Sequence, residues 1–512
     1  MSSPSKPIEV EMPTEALVGK PYRFYPSVRL LMFLLVLVGC TMLGGGFAAF
    51  NFGVVCMVNE TAADGEEWNW NDTKCGKPEG RSEKEVLTKN GYNGEFAWDR
   101  ATQASLIAAY SFGAIVFNLP SGLLADRYGS KILFGASVLI SAVSNALTPV
   151  AAYAGVSWMF AARVLQGIGG GMAWPPILSM VSRWGTPAET GMLIALGATG
   201  YQVGPLIAMA TSGLICNSSY RWPLIYYLWA GLSGLFLVLW WLVYTDDPKQ
   251  CRFISQAELD YVEKHQMRKA SAAKQSLLDV PWKALLTSPC VLATYACQFC
   301  ATWANFYIGE FMPTYSKEVL RFDVHNNGFT SALPALMQVV SRTIVGPLAD
   351  RISFGGRSKT FSIKVFTCVC TFMPCLCFFL LAFLDCRHAA LAVASFSLAS
   401  ACLSMSVVGY LRGGVLVAAR YAGVIGSIGN MSAYAGGIIM PYVTGAMVTH
   451  QTVTEWRGTL FLTAAVLAIS GTQYTIFGSA QEQAWAAEKK APTHKVFAVN
   501  GKDGLDTVRD PQ

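Results

Sequence analysis

The decapeptide GLLADRYGSK, Gly122 to Lys131, closes one apolar run of the chain. Its counterpart GPLADR, Gly346 to Arg351, closes another 224 residues later and is followed by Gly355, Arg357 and Lys359. One such charged hinge is what any basic loop beside a membrane helix looks like. Two copies at equivalent places, with a charged stretch between them, indicate a chain built of two similar halves. An acidic residue at a helix end, with basic residues beside it, can link neighbouring helices in one conformation and release them in another. Asp126, Arg127, Asp350 and Arg351 are therefore candidates for a conformational latch.

The composition around the hinges fits a membrane setting. Of 512 residues, 53% are hydrophobic and 14% charged, with a mean hydropathy of +0.38. A soluble chain carries about 25% charged residues. Twelve apolar segments are expected at 29–55, 101–124, 131–151, 155–181, 190–215, 223–244, 289–312, 327–349, 361–384, 388–411, 419–448 and 457–478. Each is near the ~20 residues that span a bilayer. The reading is an all-α polytopic membrane protein with twelve transmembrane helices. It divides into a polar tail (1–28), a first six-helix half (29–244), a charged central loop (245–288), a second half (289–478) and a polar tail (479–512).

Lys249, Arg252, Lys264, Arg268, Lys269, Lys274 and Lys283 crowd the central loop. Arg127, Lys131, Arg183, Arg351, Arg357 and Lys359 lie in short loops on the same side, and the opposite short loops are poor in cations. The positive-inside rule puts both tails and the central loop in the cytoplasm. The long polar loop 57–100 then lies outside the cell or in a lumen, with glycosylation sequons at Asn59 and Asn71; a third, Asn217, falls on the same side. Cys56 and Cys75 flank part of that loop, either as a disulfide or with Cys56 simply ending its helix. The first residues carry no apolar signal-peptide core.

The formal net charge of +6 follows from the same loops and calls for no nucleic acid. Most of the 14 cysteines sit inside apolar runs, as in CVCTFMPCLC from Cys368 to Cys377, and act there as small apolar residues. No pattern of cysteine or histidine spacing supports a metal site. There is no GxxxxGK[ST], no HExxH and no His/Ser/Asp grouping in a soluble domain, so neither an enzyme nor an ATP-driven pump is expected, and no cofactor.

The candidate site begins in AARVLQGIGGGMAWPPILSMVSRW, Ala161 to Trp184. On a helix, Arg163, Gln166 and Gly170 share a face. A charge inside a membrane helix is costly and usually marks a substrate or ion path. The competing reading is a packing seam, with glycines admitting a neighbour helix and the arginine pairing structurally. Arg342 lies mid-way along segment 8, at the same expected depth as Arg163. Two arginines from opposite halves would clamp an anion, since the planar guanidinium bonds carboxylate or phosphate and keeps its charge. Otherwise Arg342 snorkels or bonds a backbone carbonyl. Arg412 is placed to snorkel. Glu310 lies near the outer end of segment 7, where interface solvation is expected rather than proton coupling. Asn51, Tyr110, Gln166, Tyr201, Gln202, Trp303, Asn305, Asn430 and Tyr434 either complete a polar cavity or bond between helices.

The paired hinges and twelve segments resemble the major facilitator superfamily. Within it, the run from Arg163 through Gln166, Gly167, Gly169 and Gly171 to Pro175, Arg183, Trp184, Pro187 and Glu189 resembles the anion:cation symporters. That family includes sialin, the vesicular glutamate transporters and the type I sodium–phosphate cotransporters. Gly200-Tyr-Gln202-Val-Gly204, Trp222-Pro223, Asp247-Pro248, Pro313-Thr-Tyr315, Asn327-Gly328, Arg420-Tyr421 and Glu455-Trp456 follow in the family's order, and the likeness runs from about residue 40 to 478. The chain departs from the pattern where charge is expected. Ala49 replaces a helix 1 arginine, Ile107 a helix 2 polar group, Ala301 a helix 7 arginine, and Gly170 the helix 4 glutamate linked to cation coupling.

The resemblance implies a secondary active or facilitative carrier of small organic anions or phosphate, working by alternating access as a monomer in the lipid bilayer. Its membrane would be the plasma membrane or a lysosomal or vesicular one. Without the helix 4 acid, the expectation is uniport, or coupling to another ion or to the membrane potential. Two rival readings remain: a carrier of neutral or cationic solutes, and a non-transporting sensor or scaffold.

Overall fold

The computed structural model describes residues 27–59, 87–92, 94–186, 189–265, 280–353, 358–418, 421–483 and 485–486. Among them, twelve helical spans cross the molecule in alternating directions. The first six are α1 (Val28–Met57), α2 (Arg100–Tyr128), α3 (Ser130–Ala154), α4 (Val156–Trp184), α5 (Thr190–Cys216) and α6 (Pro223–Val243). Span α7 is Pro289–Phe306, a π-helical turn Tyr307–Phe311, and Met312–Glu318. Then come α8 (Val324–Ser353), α9 (Lys359–Leu381), α10 (Ala389–Leu403, continued through Ser404–Val407 and Tyr410–Val417), α11 (Ala422–Met447) and α12 (Val453–Phe477). The face where α1 begins and α12 ends is called the near face, and the opposite one the far face.

Local chemistry sets the helix ends. The Ser27 hydroxyl accepts from the Leu30 amide and the Asp99 carboxylate from the Thr102 amide, each filling an orphan donor at a helix start. Thr452 and Glu455 form a reciprocal capping box at the start of α12. Gly129 turns α2 into α3 at φ 90°, a conformation a side chain resists. Asp246 then caps α3 by accepting from the Lys131 amide at 2.9 Å.

The two halves pack by one rule. In the first, α1 lies against α5, α2 against α4, and α3 against α4 and α6. In the second, α7 lies against α11, α8 against α10, and α9 against α10 and α12. Each contact recurs six spans later, the structural counterpart of the repeated hinge. The halves meet along two seams, α2 with α11 and α5 with α8. At the far end of the second seam a Cβ on Gly213 or Gly328 would stand 2.8 Å from the other's Cα, so only glycine permits the crossing.

Seven spans are long and apolar enough to cross a bilayer on composition alone: α1, α3, α5, α6, α9, α10 and α12. The other five carry the buried polar side chains Gln103, Asn118, Arg163, Gln166, Glu310, Asn327 and Gln338 among others. These spans give up apolar character because they face the interior rather than lipid.

Candidate substrate site

Arg163 is fully buried in α4. Its guanidinium lies 3.8 Å from the centre of the Phe50 ring, 5.6 Å from that of Tyr110 and 5.9 Å from that of Phe47. Aromatic faces hold a cation without neutralising it. Nη1 donates to the Gln166 side-chain carbonyl and Nε to the Leu106 carbonyl at 3.4 Å. Nη2 has no hydrogen-bond partner among the described residues. Gln166 is held by its own amide, which donates to the Gly46 carbonyl at 2.9 Å and to Asn145 Oδ1 at 3.1 Å. The network fixes the arginine and leaves one of its arms free.

The glycines behind Arg163 divide into two kinds. A Cβ on Gly167 or Gly171 would run into the α2 backbone at Tyr110 or Ala114, so these build the α2–α4 seam. A Cβ on Gly170 would meet the Tyr110 hydroxyl and ring. Tyr110 thus fills the space a side chain at 170 would need, and the Phe47 ring, with centroids 4.5 Å apart, holds it there.

The second half contributes α7 at this level. Asn51 of α1 donates to the Gly309 carbonyl at 3.4 Å, and Asn51 Oδ1 is unpartnered. A Cβ on Gly309 would meet nothing within 4 Å, which marks open space beside it. Glu310, the next residue, is 1% exposed. The sequence bounds segment 7 at residue 312, which puts Glu310 at the interface; the span runs on to Glu318, eight residues further. The π-helical turn instead rotates it into the bundle, where both carboxylate oxygens lack a hydrogen-bond partner among the described residues. Arg163 and Tyr110 lie within electrostatic reach of Glu310.

At 1.5 Å per residue, Arg163 sits roughly 10 Å from the far end of its helix and Arg342 roughly 27 Å from the far end of α8. The expectation of equal depth is therefore corrected: about 16 Å of depth separates them, too much for one small anion to bridge. Both helices start at the far face, but Arg163 is the eighth residue of α4 and Arg342 the nineteenth of α8. Arg342 donates to the Ala198 carbonyl at 3.3 Å across the α5–α8 seam, the backbone pairing that was its alternative.

The other polar candidates scatter. The Trp303 indole donates to Thr463 Oγ1 at 3.3 Å, inside the second half. Asn305 donates to the Ala301 carbonyl at 3.1 Å and accepts from Gln338 at 2.6 Å. Tyr201 packs on Trp174 with centroids 6.2 Å apart. Tyr201, Gln202, Asn430 and Tyr434 are half-buried.

Of the candidate latch, Arg127 is exposed, and the side chains of Asp126, Asp350 and Arg351 lie outside the described residues. The charges that tie spans together lie elsewhere. On the near face, buried Arg29 bonds Glu189 at 2.5 Å and Glu258 at 3.2 Å, fastening the helix Gln256–His265 to the foot of α1. On the far face, Arg100 of α2 pairs with Glu318 of α7 in a buried ion pair. Trp456 donates to the same carboxylate at 2.9 Å. Nearby, the Val324 amide donates to the Asn90 carbonyl at 2.9 Å, and Asn327 donates to the Tyr92 hydroxyl at 3.1 Å. These contacts close the far face between the halves.

Cys56 is bonded to Cys216, not to Cys75 as its place in the loop suggested. The bond joins the far ends of α1 and α5, which pack along their length, so their ends arrive together. Cys75 and Asn71 lie outside the described residues. Asn59 is half-buried and Asn217 exposed, both at the far face.

The model of the Major Facilitator Superfamily matches residues 34–441. The chain is 30% identical over 446 residues to sodium-dependent phosphate transport protein 1 of Mus musculus, covering 86% of this chain and 91% of that one. It is 29% identical over 394 residues to sialin of Homo sapiens, covering 77% and 78%. A bacterial homologue of the lysosomal transporter Spinster, solved in an inward-facing and occupied conformation, superposes with a TM-score of 0.63 at 12% identity over 88% of this chain and 96% of that one. The xylose transporter XylE of E. coli, partially occluded and inward open, gives 0.58 at 13% identity over 88% and 98%. The fold, the repeat and the Arg163 motif agree with these likenesses: the chain belongs to the major facilitator superfamily, in the branch of anion:cation symporters that holds sialin and the sodium-dependent phosphate transporters.

Proposed function

We propose that this protein is a secondary carrier of small organic anions or inorganic phosphate, working by alternating access. The observation that carries the reading is Arg163, buried in an aromatic cage with one guanidinium nitrogen without a hydrogen-bond partner among the described residues. An interior cation without a hydrogen-bonded acid is a natural seat for an anionic substrate. The names of the relatives agree, since they describe carriers of phosphate among others. Asn51, Tyr110 and Gln166 complete the contact with substrate at that depth. Tyr201, Gln202, Asn305, Asn430, Tyr434, Trp303 and Arg342 belong to the path between this layer and the near face or to its walls.

In this reading the near face, with both tails and the loop 245–288, is cytoplasmic. The far face, with sequons at Asn59, Asn71 and Asn217, is extracellular or luminal. The closed far-face contacts leave the cavity opening to the cytoplasm, and the two six-helix units, 29–244 and 289–478, rock against each other along the two seams.

The test is uptake into proteoliposomes of labelled phosphate, glutamate, sialic acid and urate, under an imposed potential or pH gradient. Uptake of at least one, lost in Arg163→Ala while that variant still purifies as a folded monomer, is expected. Undiminished uptake by Arg163→Ala would remove the site. Uptake of a neutral or cationic solute in place of all four anions would replace the reading.

A further inference from the structure

Glu310 is the group that the anion-carrier reading leaves unexplained. It is the one carboxylate placed well inside the bundle among the described residues; Glu318 and Glu455 sit at the far ends of their helices. Among the described residues neither of its oxygens has a hydrogen-bond partner, so no hydrogen-bonded ion pair joins it to Arg163. An ionised carboxylate left alone in such a place is expensive, so it either carries a proton or faces a cation.

The groups around it are few. The π-helical turn packs against α1, which presents the neutral Asn51. Arg163 of α4 and Tyr110 of α2 lie within electrostatic reach. Tyr434 of α11 and Tyr226 of α6 reach Tyr110 and Arg163 in turn. Phenols and guanidinium do not change charge near neutral pH. Glu310 alone in this set does.

We propose that Glu310 couples this carrier to protons, in place of the helix 4 acid whose position Gly170 and Tyr110 close off. The proposal rests on the anion-carrier reading. Arg163 brings a single positive charge to the cavity. With no substrate bound, that charge compensates the Glu310 carboxylate and the proton is released to water. When an anion takes Arg163, two negative charges would share one cation in a poorly polarisable interior. Glu310 then binds a proton from the side to which the cavity is open. One proton enters with each anion and leaves with it, so a monovalent anion crosses without net charge and a divalent one carries one negative charge across.

The test is uptake by the full chain in proteoliposomes, with each of the four labelled anions and an imposed pH gradient, in the wild type and in Glu310→Gln. For the carried anion, wild-type uptake is expected to rise about fivefold or more when the outside is acid. Glu310→Gln should still exchange labelled for unlabelled anion across the membrane but lose the response to the gradient. A gradient response that survives in Glu310→Gln overturns the proposal. So does a wild type that follows the potential and ignores the pH gradient, an outcome that leaves the anion carrier standing. A wild type that carries none of the four removes the underlying reading and this one with it. Should Glu310→Gln exchange nothing, Glu310→Asp decides: a displaced pH midpoint of exchange supports the role, and an unchanged midpoint overturns it.

Discussion

At the scale of single residues, Gly170 and Tyr110 form one unit. The sequence showed a glycine where the family carries an acid, and the structure shows the phenol of Tyr110 standing in the vacated place. Overpacking a filled interior costs about 1–3 kcal/mol. Gly170→Ala should therefore lower the melting temperature of the purified protein, and Tyr110→Leu in the same chain should restore it. A melting curve in detergent for the two single variants and the double variant checks this; additive losses would mean that the two side chains do not compete for space. Arg163 was legible because a charge within an apolar run announces itself. Glu310 was legible as a residue but not as an interior one, because the apolar run ends near residue 312 while the span continues to Glu318.

At the scale of elements, the ends of α1 and α5 are joined by Cys56 and Cys216. The pairing restrains two helices that already pack along their length, so each cysteine acts only through the other. Cys56→Ser, Cys216→Ser and the double variant should lower the melting temperature by the same amount, since interacting sites do not add. A double variant that loses the sum of the singles would show that the thiols contribute separately. Nearby, Gly213 and Gly328 let α5 and α8 cross closely. Gly213→Val should hold the far ends of these helices apart. Trypsin applied from the far face should then cut Gly213→Val faster than wild type, and equal cutting would show that the seam accommodates the side chain. Neither pairing could be read locally: Cys56 and Cys216 are 160 residues apart in sequence.

At the scale of the whole molecule, the far face is shut by the buried Arg100–Glu318 pair together with Trp456. Removing one partner of a buried pair costs about 3–5 kcal/mol. A two-state equilibrium moves from one state to the other over about 5.5 kcal/mol. Glu318→Gln should thus shift the protein strongly toward a far-open form. Ala104, one turn along α2 from Arg100 and 3% exposed, reports on it. In an Ala104→Cys background, Glu318→Gln should raise labelling by a membrane-impermeant maleimide applied from the far side about tenfold or more. Unchanged labelling would show that the pair does not hold the gate. The repeated Asp-Arg hinges had drawn attention to the near face, but this structure is closed at the other end.

The sequence by itself determined the number of spans, their order and the family, and it marked Arg163 as a cation inside a span. Each of these is written in local composition or in motifs that recur along the chain, and hydrophobic length in a bilayer leaves little else for such segments to do. Only the tertiary structure decided the partner of Cys56, the far-face closure between Arg100 and Glu318, the separation in depth of Arg163 and Arg342, and the burial of Glu310. Those depend on how helices far apart in sequence are set in height and rotation against one another. That setting comes from side chains meeting across seams, as at Gly213 and Gly328, and no local pattern encodes it.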